Sequence, residues 1–408
     1  MSKIVKPGVL DETAKSILDE LHTQNLLLNV IAGSGIETAT SLAEISRIVK
    51  AGKADKVFNI GDQIIVPWTD KAANKTYDCP LNVVDFITAT LMSGETVPAM
   101  LLQWNYATPF GVQFDGKEAF HVVPSGGYSA NSTFHFEIPT AWSSSGTGDF
   151  QFTINVDLAE GAQFVFRTNI ADNGALNAVI DVYADGKSTT VIDTCTITSG
   201  SSGTDLGELK LAGDTALNAI QCTVYGYNRW KQSGIRQWLN SAAAPDAWWA
   251  SQNPYDRAPS ELATKHGFMS GFSDEFLSIL QPIKVSTAMN TVSTAKGDTD
   301  DLEDTYDTFF LPSLVEMHIN PQKAGEGDIF DYWLRASQQS SPLSQGGTYP
   351  QIRTYAIENH SSAQNVRLRS AYRSYALNTW YVSSSGYVGG HYGYATYSDR
   401  CAPVCAVC

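Results

Sequence analysis

The 408-residue chain has no apolar run approaching the roughly 20 residues of a membrane span, so membrane insertion is not expected. Its opening, MSKIVKPGVLDE, lacks the apolar centre and small-residue cleavage site of a secretion signal, which leads us to expect synthesis in a cytoplasm without processing. Charge is scarce at 17% of residues, and 27 basic against 42 acidic side chains leave a net charge of -15. Phosphate recognition rests on Lys and Arg, so nucleic acid is not an expected partner. Cysteines number six, too few for a disulfide framework in a chain of this size. Cys401, Cys405 and Cys408 do spell C-x3-C-x2-C, a spacing shared with radical iron–sulfur enzymes. No barrel-sized stretch follows to hold such a cluster, so small buried or idle thiols are expected.

Catalytic signatures are missing too. The seven histidines, His22, His121, His135, His266, His318, His360 and His391, fall into no metal-ligand spacing, and there is no nucleophile elbow, P-loop or dinucleotide-binding glycine motif. We therefore expect no catalytic residue, no metal and no cofactor, and do not expect an enzyme. The acidic run DTDDLEDTYD, with Asp298, Asp300, Asp301, Glu303, Asp304 and Asp307, offers oxygens to calcium, but Leu302 and Glu303 break an EF-hand register. A solvated loop is the expectation there.

What is present divides the chain. Residues 1–55 read as a helical attachment or oligomerisation region: Leu10, Ala14, Ile17, Leu21 and Leu28 make one seam, and Leu42, Ile45, Ile48 and Val49 make another that stops at Gly52. Residues 56–126 turn to strand patterns, and 127–215 alternate as an inserted β-sandwich-like unit. In 216–408, Ser233 and Ser273 are placed to cap short helices, while Trp230, Trp238, Trp248, Trp249 and Trp333 are core candidates. The fold class expected is mixed α+β.

The tail differs in kind. No lysine follows Lys323, no acidic residue stands between Glu358 and Asp399, and YVSSSGYVGGHYGYATYSDR is rich in tyrosine. Tyrosine provides rigid amphipathic contact area while Ser and Gly adapt around it, the composition of a recognition loop.

YNRWKQSGIRQWLNS, the Trp248–Trp249 pair, GFMSGFSDEFLSIL, TYDTFFLPSLVEM, YWLRA and VRLRSAYRSYALNTWYVSSSGYVGGHYGYATYSDRCAPVC carry a resemblance. Over about residues 56–408 the chain resembles the variable proteins of diversity-generating retroelements of gut phages and bacteria. The resemblance is most specific at 366–404 and implies a C-terminal C-type lectin fold of the formylglycine-generating-enzyme type. In such systems a reverse transcriptase copies a template into the gene while mutating adenines. From asparagine codons of the AAC kind this yields Tyr, Ser, Asp, Gly, His, Thr, Leu or Asn, never Lys, Glu, Gln, Trp or Met. Tyr372, Ser374, Tyr375, Leu377, Asn378, Tyr381, Ser383, Tyr387, Gly389, Gly390, His391, Tyr392, Tyr394, Thr396, Tyr397, Ser398 and Asp399 all lie within that set. They are the expected variable, ligand-binding residues, and Gly393 fits the set as well. Leu368, Arg369, Ser370, Ala371, Arg373, Ala376, Trp380, Val382, Gly386, Val388, Ala395 and Arg400 would be fixed framework.

The resemblance implies a receptor-binding virion protein at a phage tail tip, meeting a host cell-surface protein or glycan, attached to other tail proteins and able to form a homotrimer. The alternative is a bacterial cell-surface adhesin or lectin with a glycan ligand.

Overall fold

The computed structural model describes residues 41–116, 120–122, 125–137, 149–153, 156–160, 163–170, 176–183, 191–198, 209–212, 220–222, 226–252, 258–291, 301–374, 377–390 and 393–408. The seam at 10–30 lies outside them.

Helix α1 (Leu42–Lys50) starts with a capping box, in which the Glu44 N–H donates to Ser41 Oγ and the Ser41 N–H donates to the Glu44 carboxylate. Ile45, Ile48 and Val49 are buried, and the chain turns away at Gly52 with φ of +65°. Helix α2 (Ala54–Val57) follows, with Ala54 and Val57 buried. Because α1 packs on the sheet described below, the expected break at residue 55 falls inside the packed body.

Three long antiparallel strands come next: β1 (Gln63–Asp70), β2 (Lys75–Thr90) and β3 (Thr96–Trp104). Between 120 and 222 lie β4 (Phe120–Val122), β5 (Thr133–Glu137), β6 (Asp149–Thr153), β7 (Gln163–Ile170), β8 (Leu176–Tyr183), β9 (Val191–Thr198), β10 (Leu209–Ala212) and β11 (Ile220–Cys222). They form two antiparallel sheets, ordered β4-β7-β8-β9 and β11-β10-β5-β6. The strands thus begin earlier and end later than the 127–215 read from the alternation. The chain on either side of this unit meets at one point. Gly226, at φ +78°, comes so close to the departing segment that an added Cβ would lie 3.0 Å from the main-chain oxygens of both Asp115 and Gly116.

Helix α3 (Gly234–Leu239) is capped by Ser233, which accepts from the Arg236 N–H, and buries Ile235, Trp238 and Leu239. Helix α4 (Asp274–Ser278) is capped by Ser273, and its Asp274 and Glu275 sit in the first turn, where the helix dipole favours them. Then follow β12 (Ile283–Ala288), β13 (Leu302–Asp307), β14 (Phe309–Phe310), helix α5 (Asp331–Ser337), and the short strands β15 (Thr354–Tyr355), β16 (Ala363–Gln364), β17 (Val366–Ala371), β18 (Thr379–Val382), β19 (Val388–Gly389) and β20 (Val404–Val407). The protein is mixed α+β, with few helices and several sheets among the described residues.

The central sheet has the order β1-β2-β3-β20-β14, so a strand near residue 405 sits inside a sheet begun near residue 63. Cys401, Cys405 and Cys408 are buried in and around β20, which accounts for them as core thiols. An aromatic cluster packs beside the sheet: Phe268 lies 5.6 Å from Trp68, 5.3 Å from Trp104 and 5.1 Å from both Trp238 and Phe309, centroid to centroid. Each buried indole N–H of Trp68, Trp230, Trp238, Trp248 and Trp333 has an acceptor.

The acidic run is not a solvated loop over its described part. Residues 302–307 are strand β13, paired to β12. Glu303 binds Arg229 and Lys231, Asp304 binds Lys284, and buried Asp307 binds Arg236, so these carboxylates are already engaged by cations. Asp298 and Asp300 lie outside the described residues.

Candidate functional site

Strand β17 buries all six of its residues although two are arginines. A guanidinium taken out of water must have its N–H groups satisfied and its charge balanced, and both conditions hold. Arg369 donates to both carboxylate oxygens of Glu316, at 2.5 and 2.8 Å, and to the main-chain oxygens of Leu311 and Glu326, each at 2.8 Å. Next to it the Ser370 hydroxyl donates to the Glu326 carboxylate at 2.7 Å. Burial pushes the Glu326 carboxyl above its ordinary value, with the Arg369 charge opposing.

Arg367 serves the candidate loop. It donates to Thr379 Oγ1, to the main-chain oxygens of Gly393 (3.1 Å), Tyr394 (3.0 Å) and Tyr397 (3.0 Å), and to Asp399 Oδ2 (2.7 Å). Burial draws its pKa below the ordinary arginine value, and the Asp399 charge works against that shift.

Other side chains outside the candidate set hold the loop by its backbone in the same manner. Asn228 Nδ2 donates to the main-chain oxygens of Asn378 (2.6 Å) and Tyr372 (3.3 Å). Gln113 Nε2 donates to the Thr396 oxygen at 2.7 Å. Gln322 Oε1 accepts from the Arg373 N–H at 2.7 Å, and Asn365 Oδ1 accepts from the Ser384 N–H at 3.0 Å. None of these bonds depends on which side chain the loop residue carries.

The expected contact residues fall into groups. Tyr387 (39% exposed) and Tyr397 (48% exposed) project most, with Ser374 and Ser398 also exposed. Tyr372, Tyr381, Ser383, Tyr394, Thr396 and Asp399 are half-buried. Tyr375, His391 and Tyr392 lie outside the described residues.

Four expectations need correction. Leu377 and Asn378 are fully buried and present nothing to a partner; the Asn378 carbonyl is committed to Asn228 and to the Tyr372 N–H. Gly389 and Gly390 are buried between aromatic rings. A Cβ on Gly389 would lie 2.8 Å from the Tyr387 ring and 2.9 Å from that of Tyr381. Strand alternation puts these two rings on one face, while Trp380 and the Tyr372 ring, 5.2 Å apart, pack on the other. Gly393 is fixed by its surroundings, because a side chain there would run into the Thr379 carbonyl.

Three candidate side chains also support the loop itself. Ser383 Oγ accepts from the Ser385 and Tyr387 N–H groups, Ser398 donates to Glu261, and Asp399 balances Arg367. The framework residues Leu368, Arg369, Ser370, Ala371, Trp380, Val382, Val388 and Ala395 are all buried.

One part of the surface was not anticipated. Residues 346–349 pair alongside β19: the Gly346 N–H donates to the Val388 oxygen, the Val388 N–H to Gly347 and the Tyr349 N–H to Gly386. This adds an edge segment next to Tyr387. The signal was the pair of glycines before Thr348 and Tyr349, a turn followed by strand formers.

The thiols near the loop are poor nucleophiles. Burial pushes Cys401 up to about 12 against the Thr108 hydrogen bond and the Arg367 charge, and pushes Cys408 up to about 11, so both are protonated at neutral pH. Among the described residues no three His, Cys, Asp or Glu side chains are grouped to hold a metal ion.

Residues 207–405 match the model of a family described as a domain of unknown function, DUF6273. Searches of the curated proteins and of the solved structures find no match. The matched span contains every candidate contact residue.

Proposed function

We propose that residues 372–399 form the changeable contact surface of a receptor-binding protein, diversified by a retroelement and displayed at a phage tail tip. The observation that carries this reading is the way the loop is held. Its main chain is bound by Arg367, Asn228, Gln113, Gln322 and Asn365, while Tyr387, Tyr397 and Ser374 project. Exposed side chains in such a loop can change without removing the bonds that shape it. In this reading the helix-poor 346–408 segment belongs to a C-type lectin-like domain, and the two sheets between 120 and 222 form a sandwich-like insertion.

The function proposed is binding and not catalysis. The ligand is a host cell-surface protein or glycan, met by a nearly neutral, tyrosine-rich face. Trp230, Trp238, Trp248 and Trp333 are buried and supply no sugar-stacking platform, while Trp249 is partly buried. Attachment to other tail proteins, and a homotrimer giving avidity from several weak sites, complete the proposal.

Sequencing the gene in descendants of one clone tests it. Substitutions should gather at the exposed and half-buried candidate positions and spare Leu368 to Ala371, Trp380 and Gly393. Changes scattered through the framework, or none in 372–399, would overturn the proposal.

A further inference from the structure

A groove of about 680 Å³ lies against β1, an edge strand of the central sheet. Its apolar lining comes from Leu42, Ile45, Phe58, Ile64 and Ile65, and its rim carries the acidic side chains Asp62 and Glu275. Ile65 is 64% exposed, a large aliphatic side chain left uncovered at the mouth. Grooves of this kind mark docking surfaces.

The chain itself names an occupant. Ser41, where the described chain begins, is one of the groove's lining residues, so residues 1–40 arrive at its mouth. Within them Leu26, Leu27, Leu28, Val30 and Ile31 make a dense apolar run. From Leu21 to Ile36 there is no Asp, Glu, Lys or Arg, so nothing in that stretch opposes the acidic rim or carries a charge onto the apolar floor. Ile31 and Ser41 are separated by a segment rich in Gly, Ser and Thr. Ten residues extend to at most about 33–36 Å, enough to turn back over the groove. A connection of only ten residues also keeps the run at an effective concentration on the order of millimolar, which favours the chain's own segment over a second copy.

We propose that residues 21–31 dock in this groove of their own chain, covering Ile65 and closing the β1 edge of the sheet. The N-terminal region would then be a fixed part of the body up to about residue 21, leaving only the residues before it for attachment to a partner.

Cysteine pairing in the full-length protein provides the test. Ile65→Cys is combined in turn with Leu21→Cys, Leu26→Cys and Leu28→Cys; Ile65 is exposed, and Cys79, Cys401, Cys405 and Cys408 are buried, with each single variant serving as the control for the remaining thiols. Mild oxidation should give an intrachain disulfide in at least one pair, read as a faster-migrating monomer absent from the single variants. Interchain dimers in its place would make a second copy the occupant and overturn the proposal, as would no crosslink from any pair. A second measurement uses Leu28→Asp in the full chain: hydrogen exchange should show loss of amide protection at Ile64 to Val66 and in α1. Unchanged protection there would contradict docking.

Discussion

Strand β17 and the loop that follows it are neighbours in sequence and opposites in construction. The strand hides two guanidinium groups where sequence habit expects surface charge. The loop holds few committed side chains but many committed main-chain atoms. The difference teaches that a short region can be anchored by two buried side chains, Arg367 and Arg369, while the loop beside it answers mainly with main-chain carbonyl and amide groups that do not depend on side-chain identity. Ser383, Ser398 and Asp399 are exceptions, since their side chains also hold the loop.

The sharpest way to break this contrast is Arg369→Ala. It leaves Glu316 buried and uncompensated beside Glu326, and should cost about 3–5 kcal/mol in urea unfolding. A cost below about 1 kcal/mol would mean that the strand is not the anchor. Next comes Gly393→Ala, in a position the codon pattern alone would permit. The forced displacement of Thr379 should cost about 1–3 kcal/mol and disturb the Arg367 bonds, seen as a fall in melting temperature.

Acid should loosen the framework through Glu303, which lies next to Asn228 through its partner Arg229. Burial raises the Glu303 pKa, but hydrogen bonds and charges from Arg229 and Lys231 outweigh it and leave the net value lowered. The folded value therefore lies below the unfolded one of about 4.3, so the stabilisation is present above that pH and is lost as pH falls through the folded value. Glu303→Gln should cost about 1 kcal/mol near neutrality and flatten the acid limb of a stability-against-pH curve. The smallest effect belongs to the loop: Tyr387→Ala and Tyr397→Ala should each change stability by less than about 0.5 kcal/mol. A larger loss in either would place that ring in the fold and not on the contact face.

Local chemistry was legible in the sequence. Ser233 and Ser273 cap the helices they were expected to cap, because a cap is decided within three residues. The inner face of α1 and most of the tryptophan core followed from spacing and size. Long-range pairing was not legible. PVCAVC is too short and too plain to announce a strand between β3 and β14, since one partner lies about 300 residues away in sequence and the other about 95. The acidic run looked solvated because the cations that pair with it come from 229–236 and 284.

In the candidate site, the codon pattern does not by itself divide framework from contact positions, because the framework residues Leu368, Ser370 and Gly386 are of permitted types too. It failed at Leu377 and Asn378 because a permitted residue type says nothing about where a backbone turns inward. Asn228, Gln113 and Gln322 were invisible for a related reason: an amide side chain reveals its acceptor only in three dimensions.

The central claim, that the framework carries the fold and the loop carries the variation, is tested most directly by a saturation scan of residues 366–400 read out by protease resistance. The account predicts near-wild-type resistance for most substitutions at Ser374, Tyr387 and Tyr397, and broad loss at Arg367 to Ala371, Leu377, Trp380 and Gly393. Equal tolerance across both groups, or greater sensitivity at Tyr387 and Tyr397 than at Arg367 and Arg369, would contradict it.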